Sequence, residues 1–151
     1  MPHPSEPDSN QALNQVLITL HRSLAAYLSF ADPWVAYNNE EPRRVVTRIV
    51  ADKEQFVTRL TALLDSRRHT IDSGEFPMEF TSLHDVSLAY LVNQLIEHQR
   101  RDVQTIEAAL GKLSSDAEGR TLVEEILASA RRNLHSLESL TRQPATANDE
   151  R

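Results

Sequence analysis

Residues 69–81 read HTIDSGEFPMEFT, and this stretch decides the fold that the sequence predicts. It contains glycine, proline and mixed charge between two long helical patterns, so we interpret it as a connection. A chain of this length spans about 43–47 Å at full extension, whereas a tight turn between adjacent helices needs only a few residues. The stretch is therefore long enough to return along a whole helical bundle, and it predicts a crossover.

One helical pattern precedes this connection and another follows it. Helix B is predicted at 42–68, with Pro42 in the first turn, where proline suits a helix. Residues 43–68 form about 39 Å of helix at 1.5 Å per residue, and the connection is just long enough to span that length. Halfway along, its apolar stripe passes through Asp52 and Lys53. Helix C is predicted at 82–113, because Ser82 and Asp85 resemble a capping box.

Two more helices and two tails complete the prediction. Helix A is predicted at 10–32, where leucines recur at spacings of three and four, and it ends before Pro33, which disfavours helix in the preceding residue. Helix D is predicted at 116–141, opened by Ser115 and Glu118 as a second capping box. Residues 1–9 and 143–151 are polar and lack an apolar period, so we expect loose tails around a bundle at 10–142.

The composition favours an all-α protein and excludes several kinds of site. The chain has 151 residues, of which 40% are hydrophobic, 25% charged and only three glycine. It has no cysteine, which excludes disulfides and thiolate metal sites. The net charge of -6 argues against a nucleic-acid partner, and no apolar run approaches the ~20 residues of a membrane span. We expect a cytoplasmic protein, because the first residues lack the order of a signal peptide.

Four long helices predict a four-helix bundle. Short connections make A and B, and likewise C and D, antiparallel, whereas the crossover makes B and C parallel. Three features of the chain point to a known family: the predicted up-down-down-up order, the segment RLTALL at 59–64 and the run Ala25-Ala26-Tyr27. In these features the chain resembles ferritin-like di-iron proteins of the rubrerythrin type. The resemblance covers roughly residues 11–140 and implies that fold. In the family, inward glutamates and Glu-x-x-His pairs hold two iron ions.

The resemblance assigns one residue of this chain to each metal-ligand position. These are Ser23 on helix A, Lys53 and Phe56 on helix B, Glu97 on helix C, and Ala130 and Asn133 on helix D. Of these, Glu97 alone is a good iron ligand. Shifting the register does not restore a Glu-x-x-His pair on helix B or D. We therefore expect a degenerate member of the family, without a metal, a cofactor or catalytic residues.

The polar residues at the middle of the bundle then need partners. Lys53 and Glu97 both lie near mid-helix, so we predict that they pair across the B–C contact. Asp52, Asn93 and Asn133 would complete a polar network there. The alternative is that the Lys53 side chain reaches solvent along the bundle surface and pairs with nothing.

The crossover is apolar for a connection. Its residues Phe76, Met78 and Phe80 either pack in the groove between helices or form a surface for a protein partner. An exposed apolar helical face is the predicted surface of a homodimer.

Three functions remain open from the sequence. The first is a metal-free structural or protein-interaction module, which the missing ligands and the apolar crossover favour. The second is a di-iron oxidoreductase or iron-handling protein, as the wider family implies. The third is a small-molecule binder that uses the space vacated at the middle of the bundle beside Lys53.

Overall fold

A computed structural model describes residues 6–31, 33–34, 40–83 and 86–142. Over these ranges the protein is mainly helical and contains no strand, which confirms the all-α prediction. The elements are α1 (Glu6–His21), α2 (Leu24–Ala31), α3 (Glu41–Ser66), a 3₁₀ helix (Met78–Leu83), α4 (Leu88–Leu110) and α5 (Ala117–Arg142). Tail residues 1–5 and 143–151 lie outside the described part. Within that part, every helix is too short or too polar to cross a bilayer.

Predicted helix A is two helices. α1 begins at Glu6, inside the segment assigned to a tail, because Pro7 and Asp8 both suit the first turn of a helix. The chain then breaks between His21 and Leu24. The hydroxyl of Ser23 accepts a hydrogen bond from the backbone N–H of Ala26 at 3.2 Å, so Ser23 caps α2 and starts a new helix axis.

Other caps begin α4 and α5 in place of the two predicted capping boxes, and Asp85 of the first box lies outside the described residues. The hydroxyl of Ser87 accepts from the N–H of Tyr90 at 3.1 Å, so α4 begins at Leu88 and not at 82. At the start of α5, the carboxylate of Asp116 accepts from the N–H of Gly119 at 2.9 Å. Asp116 therefore takes the capping position that the sequence assigned to Ser115.

Polar contacts between helices fix their relative directions. In each antiparallel pair, rising residue numbers on one helix meet falling numbers on the other. The pairs are α1 with α3 (Asn10–Arg67, His21–Glu54), α3 with α5 (Arg48–Ser136, Arg59–Glu125) and α4 with α5 (Arg100–Glu138, Glu107–Arg131). Because α3 and α4 both run antiparallel to α5, they run parallel to each other.

The connection between α3 and α4 lies along α1 and α2. The side-chain amide of Asn14 donates to the carbonyl of Asp72 and accepts from its N–H, both at 3.0 Å. Further along, the ring of Phe76 packs edge-on to that of Tyr27, with 5.4 Å between centroids. The connection thus advances in the same direction as α1 and α2, and it returns the chain to the starting end of α3.

The core consists of two apolar clusters stacked along the bundle. One lies around Leu13, Leu17, Leu60, Ile106 and Ile126. The other lies around Leu24, Trp34, Ile49, Phe80 and Leu91. On α3, Lys53 falls between Ile49 of one cluster and Leu60 of the other. The polar residues described next therefore occupy the boundary between the two halves of the core.

Candidate functional site

Lys53 is a buried cation at the middle of the bundle. Its side chain is 3% exposed, and its ammonium donates a hydrogen bond to Oε1 of Gln99 on α4 at 3.0 Å. The nearest carboxylate is that of Asp102, one turn further along α4, with 3.8 Å between Nζ and Oδ2. The lysine is thus held by one neutral and one acidic group from the same helix.

Helical phase places these groups together. Lys53 follows the fully buried Ile49 by four residues, so both lie on the inner face of α3. Gln99 follows Leu95 by four and precedes Val103 by four, which puts it in the buried stripe of α4. The Nε2 of Gln99 donates to the carbonyl of Ala130 on α5 at 3.0 Å. One amide therefore links three helices.

Burial dominates the electrostatics of this pair. It lowers the pKa of Lys53, and the charge of Asp102 opposes that shift. It raises the pKa of Asp102 to about 6, while the charges of Lys53 and Arg101 pull it down. Both shifts disfavour the charged form, as expected for an ion pair drawn out of water.

The space left beside Lys53 is small. A cavity of about 10 Å³ beside Lys53 is lined by Leu20, Lys53, Phe56, Gln99, Ile126, Ser129, Ala130 and Asn133. This corresponds to the room of about one water molecule. Two larger depressions lie on the surface: one of about 940 Å³ between α1, the crossover and α4, and one of about 740 Å³ between α3 and α5.

The residues predicted to form the polar network are only partly brought together. Lys53 and Asn133 line the same cavity, and Asp52, which precedes Lys53 in the sequence, is partly buried. Asn93 is exposed. Glu97 is also exposed, at 53% of its side chain, and its carboxylate lies 3.5 Å from Arg100 on the same helix. The predicted Lys53–Glu97 pair is therefore replaced by Lys53 with Gln99 and Asp102.

The six positions that the resemblance assigns to metal ligands do not fit a di-iron centre. Ser23 is engaged as the α2 cap, and Phe56 packs under the guanidinium of Arg59 at 5.5 Å. Ala130 contributes a backbone carbonyl to Gln99, and the Lys53 ammonium is a cation itself. No cluster of three or more His, Cys, Asp or Glu with metal-binding geometry occurs in the described residues.

The three crossover residues that were predicted to form a partner surface differ in their exposure to solvent. Phe80 is 2% exposed and belongs to the core, where its ring contacts those of Tyr27 and His98. Phe76 is partly buried, with the Arg22 guanidinium over its ring at 4.8 Å. Met78, between them, is 86% exposed. Alternate residues of this short segment therefore face the core, and Met78 alone of the three projects freely.

Sequence reasoning missed Gln99 and Asp102. A signal for Gln99 was present, since it lies at helical spacing between the apolar residues Leu95 and Val103. Asp102 carries no comparable signal, because an acid at the edge of a helical stripe is ordinarily solvated.

Comparison of the chain with family models, curated proteins and solved structures finds no match.

Proposed function

We propose that this chain is a metal-independent member of the ferritin-like bundles and acts as a structural or protein-interaction module. The helix directions support the up-down-down-up order, since α1 and α5 each run antiparallel to α3. The connection that returns along α1 and α2 supports the long crossover. The same proposal includes self-association as a homodimer, which a solution mass tests.

One observation carries the proposal: the ammonium of Lys53 occupies the interior position where the resemblance places a metal ligand. Its neighbour Gln99 is a neutral amide that uses its oxygen on Lys53 and its nitrogen on Ala130. A dication placed beside a buried ammonium would meet strong repulsion in a medium of low dielectric constant. The interior is therefore suited to holding helices together, which leaves the outer surface to carry function.

The other two functions make different demands on this interior. A di-iron protein needs several carboxylates and imidazoles at the site, whereas Asp102 is the carboxylate that lies beside Lys53. A small-molecule site ordinarily has about 300–1,000 Å³, whereas the cavity beside Lys53 has about 10 Å³. Both functions would require the middle of the bundle to rearrange.

Metal content and thermal stability test the proposal together. The chain is purified after expression in iron-supplemented medium and then titrated with Fe²⁺, Mn²⁺ and Zn²⁺. We expect substoichiometric metal and no rise in melting temperature with any of the three ions, because a ligand that binds only the native state would stabilise it. About two irons per chain, as in the di-iron family, would refute the proposal. Lys53→Glu is the comparison variant, because it replaces the buried cation with a second carboxylate beside Asp102. Any metal affinity should therefore appear in this variant and not in the wild type.

A further inference from the structure

Large apolar side chains are exposed on one half of the bundle. Across the described residues, the large hydrophobic side chains left exposed are Phe30 at 82%, Met78 at 86% and Tyr90 at 48%. They belong to α2, the 3₁₀ helix and α4, all of which pack around the core cluster of Trp34 and Phe80. Single exposed apolar residues are normal, but a grouping of large ones marks an interaction surface.

Ring contacts show that the three elements are neighbours. Tyr27 of α2 contacts Phe80 of the 3₁₀ helix at 5.5 Å, and Phe80 contacts His98 of α4 at 5.4 Å. The 3₁₀ helix thus lies between α2 and α4. Phe30 is one turn beyond Tyr27, and Tyr90 is two turns before His98, so each shares a helical side with a residue that contacts the 3₁₀ helix. We call the surface of Phe30, Met78 and Tyr90 the crossover face.

The acids of the crossover face are Glu75 and Glu79. The Glu79 carboxylate lies 3.9 Å from Nε2 of His98, and burial lowers the pKa of that imidazole, which favours its neutral form. α2 carries no charged residue at all. Glu75 and Glu79 flank Met78 in sequence and are exposed. The nearby cation Arg22 is held against the crossover by the carbonyls of Ser73 and Gly74 and by the Phe76 ring.

We propose that the crossover face binds a basic amphipathic helix of another protein, with apolar anchors on Phe30, Met78 and Tyr90 and Lys or Arg beside Glu75 and Glu79. This rests on the proposed interaction function and names its surface and partner class. Such helices bind through apolar residues at i, i+3 or i+4 and i+7, and complementary charge sets their orientation and association rate. A second copy is a poor occupant of this face, because a symmetric contact here would bring acids against acids, so the proposed homodimer would use a different surface.

Binding of a designed peptide tests this inference. The probe is a labelled Lys/Leu amphipathic helix of about 18 residues, or five turns, and its control is the same peptide with Glu in place of Lys. We expect saturable, salt-sensitive binding of the Lys/Leu peptide and none of the Glu/Leu peptide. Phe30→Ser with Met78→Ser should weaken binding roughly tenfold or more, as loss of central anchors does.

Charge variants with equal net charge locate the surface. Glu75→Gln with Glu79→Gln should weaken peptide binding several-fold and reduce its salt dependence. Asp65→Asn with Glu124→Gln, which removes two exposed acids from α3 and α5, should leave it unchanged. Equal losses in the two double variants, or no saturable binding by wild type, would overturn the inference. Binding of the wild type to anionic vesicles would assign the crossover face to a membrane surface. A wild-type dimer that dissociates in the double variant Phe30→Ser with Met78→Ser would assign it to a second copy of the chain.

The two proposals fail separately. A protein that binds no metal but also no basic peptide would leave the metal-independent bundle intact and remove its assigned partner. A protein that binds iron would refute the proposed function whatever the peptide does.

Discussion

Lys53 and Gln99 are joined by a hydrogen bond of 3.0 Å between Nζ and Oε1, at the boundary between the two apolar clusters. The other end of the same amide donates to the carbonyl of Ala130. α3, α4 and α5 are therefore connected through one buried side chain whose oxygen and nitrogen each have a hydrogen-bond partner on another helix. Buried hydrogen bonds of this kind restrict the packing of helices more strongly than apolar contact alone.

Replacing Lys53 by methionine should destabilise the protein. Lys53→Met keeps an unbranched side chain one atom shorter but leaves Gln99 and Asp102 without their cation, and breaking a buried pair on one side costs about 3–5 kcal/mol. Urea unfolding at neutral pH measures the loss. The chain's other lysine, Lys112, is exposed, so Lys112→Met should change stability by no more than about 0.5 kcal/mol. Equal effects would mean that the Lys53 ammonium reaches water.

Asp102 should make stability fall as the pH rises from about 4 to 6. Its pKa is about 6 in the folded protein, against an ordinary value of 3.8. The folded state therefore binds the proton more tightly, and this stabilisation is complete below the ordinary value and is lost as the pH rises through 6. The shift corresponds to at most about 3 kcal/mol.

Asp102→Asn provides the comparison for this pH dependence. The stability difference between wild type and Asp102→Asn should change across that pH interval and be flat below it. A difference that does not vary between pH 4 and 6 would show that Asp102 is solvated.

At alkaline pH the stability of the wild type should change in the opposite direction, because the pKa of Lys53 is lowered on folding. The unfolded state then holds the extra proton, so stability rises towards the ordinary lysine pKa.

Arg67 should matter far more than Arg59. Arg67 forms two hydrogen bonds to the Asp116 carboxylate, at 2.7 and 2.9 Å, and a third to Asn10 at 2.9 Å, which connects the ends of α1, α3 and α5. Its side chain is 22% exposed. Arg67→Ala should cost about 2 kcal/mol, the range for hydrogen bonds to a charged group.

The pair of Arg59 with Glu125 is the control for this prediction. It has similar distances, 3.0 and 3.1 Å, but both side chains are largely exposed. Arg59→Ala should leave the thermal midpoint nearly unchanged, because solvent screens such pairs.

The Arg67 guanidinium also lowers the pKa of Asp116. That stabilisation is present above the ordinary aspartate pKa and is lost as the pH falls below it, so Arg67→Ala should flatten the acid limb of unfolding.

Glycine at position 68 should stabilise the protein. Arg68 follows the α3 C-cap with a φ of 58°, and its N–H and that of His69 bond back to Asp65 and Leu64. This is a Schellman turn, in which the left-handed residue is usually glycine. Arg68→Gly should therefore add about 0.5–1 kcal/mol by removing backbone strain. Arg44→Gly, at an exposed position in the first turn of α3, should instead destabilise the protein, by at most about 1 kcal/mol. Destabilisation by both would contradict the prediction.

Alanine at position 74 should destabilise the crossover. Gly74 has a φ of 68°, and a Cβ there would lie 2.8 Å from Cγ2 of Ile18. Gly74→Ala should cost about 1–2 kcal/mol, because the left-handed conformation is unfavourable for L-residues. The comparison is Gly111→Ala, where φ is -64° and the nearest atom to a new Cβ is 3.4 Å away. That change should be neutral or slightly stabilising.

The error at Glu97 shows where sequence reasoning stopped. The stripe of α3 put Lys53 on the side facing the bundle or at its edge, because its apolar neighbours have one clear phase, and the structure shows that the side chain is buried. α4 has apolar residues along two edges, so its rotation about its own axis was ambiguous. Glu97 and Gln99 are two residues apart, which is about 200° around a helix. Choosing between them required the packing of α1 and α5 against α4.

Local chemistry by itself determined that the chain is helical, that a long connection separates α3 from α4, and that Lys53 interrupts the apolar stripe of its helix, because periodicity and chain length depend only on the order of residues. Tertiary structure alone decided the break at Ser23, the caps at Ser87 and Asp116, and the amide and carboxylate that surround Lys53. Each of these depends on which of several competing polar groups is brought within hydrogen-bonding distance, and only the packing of helices from distant parts of the chain settles that choice.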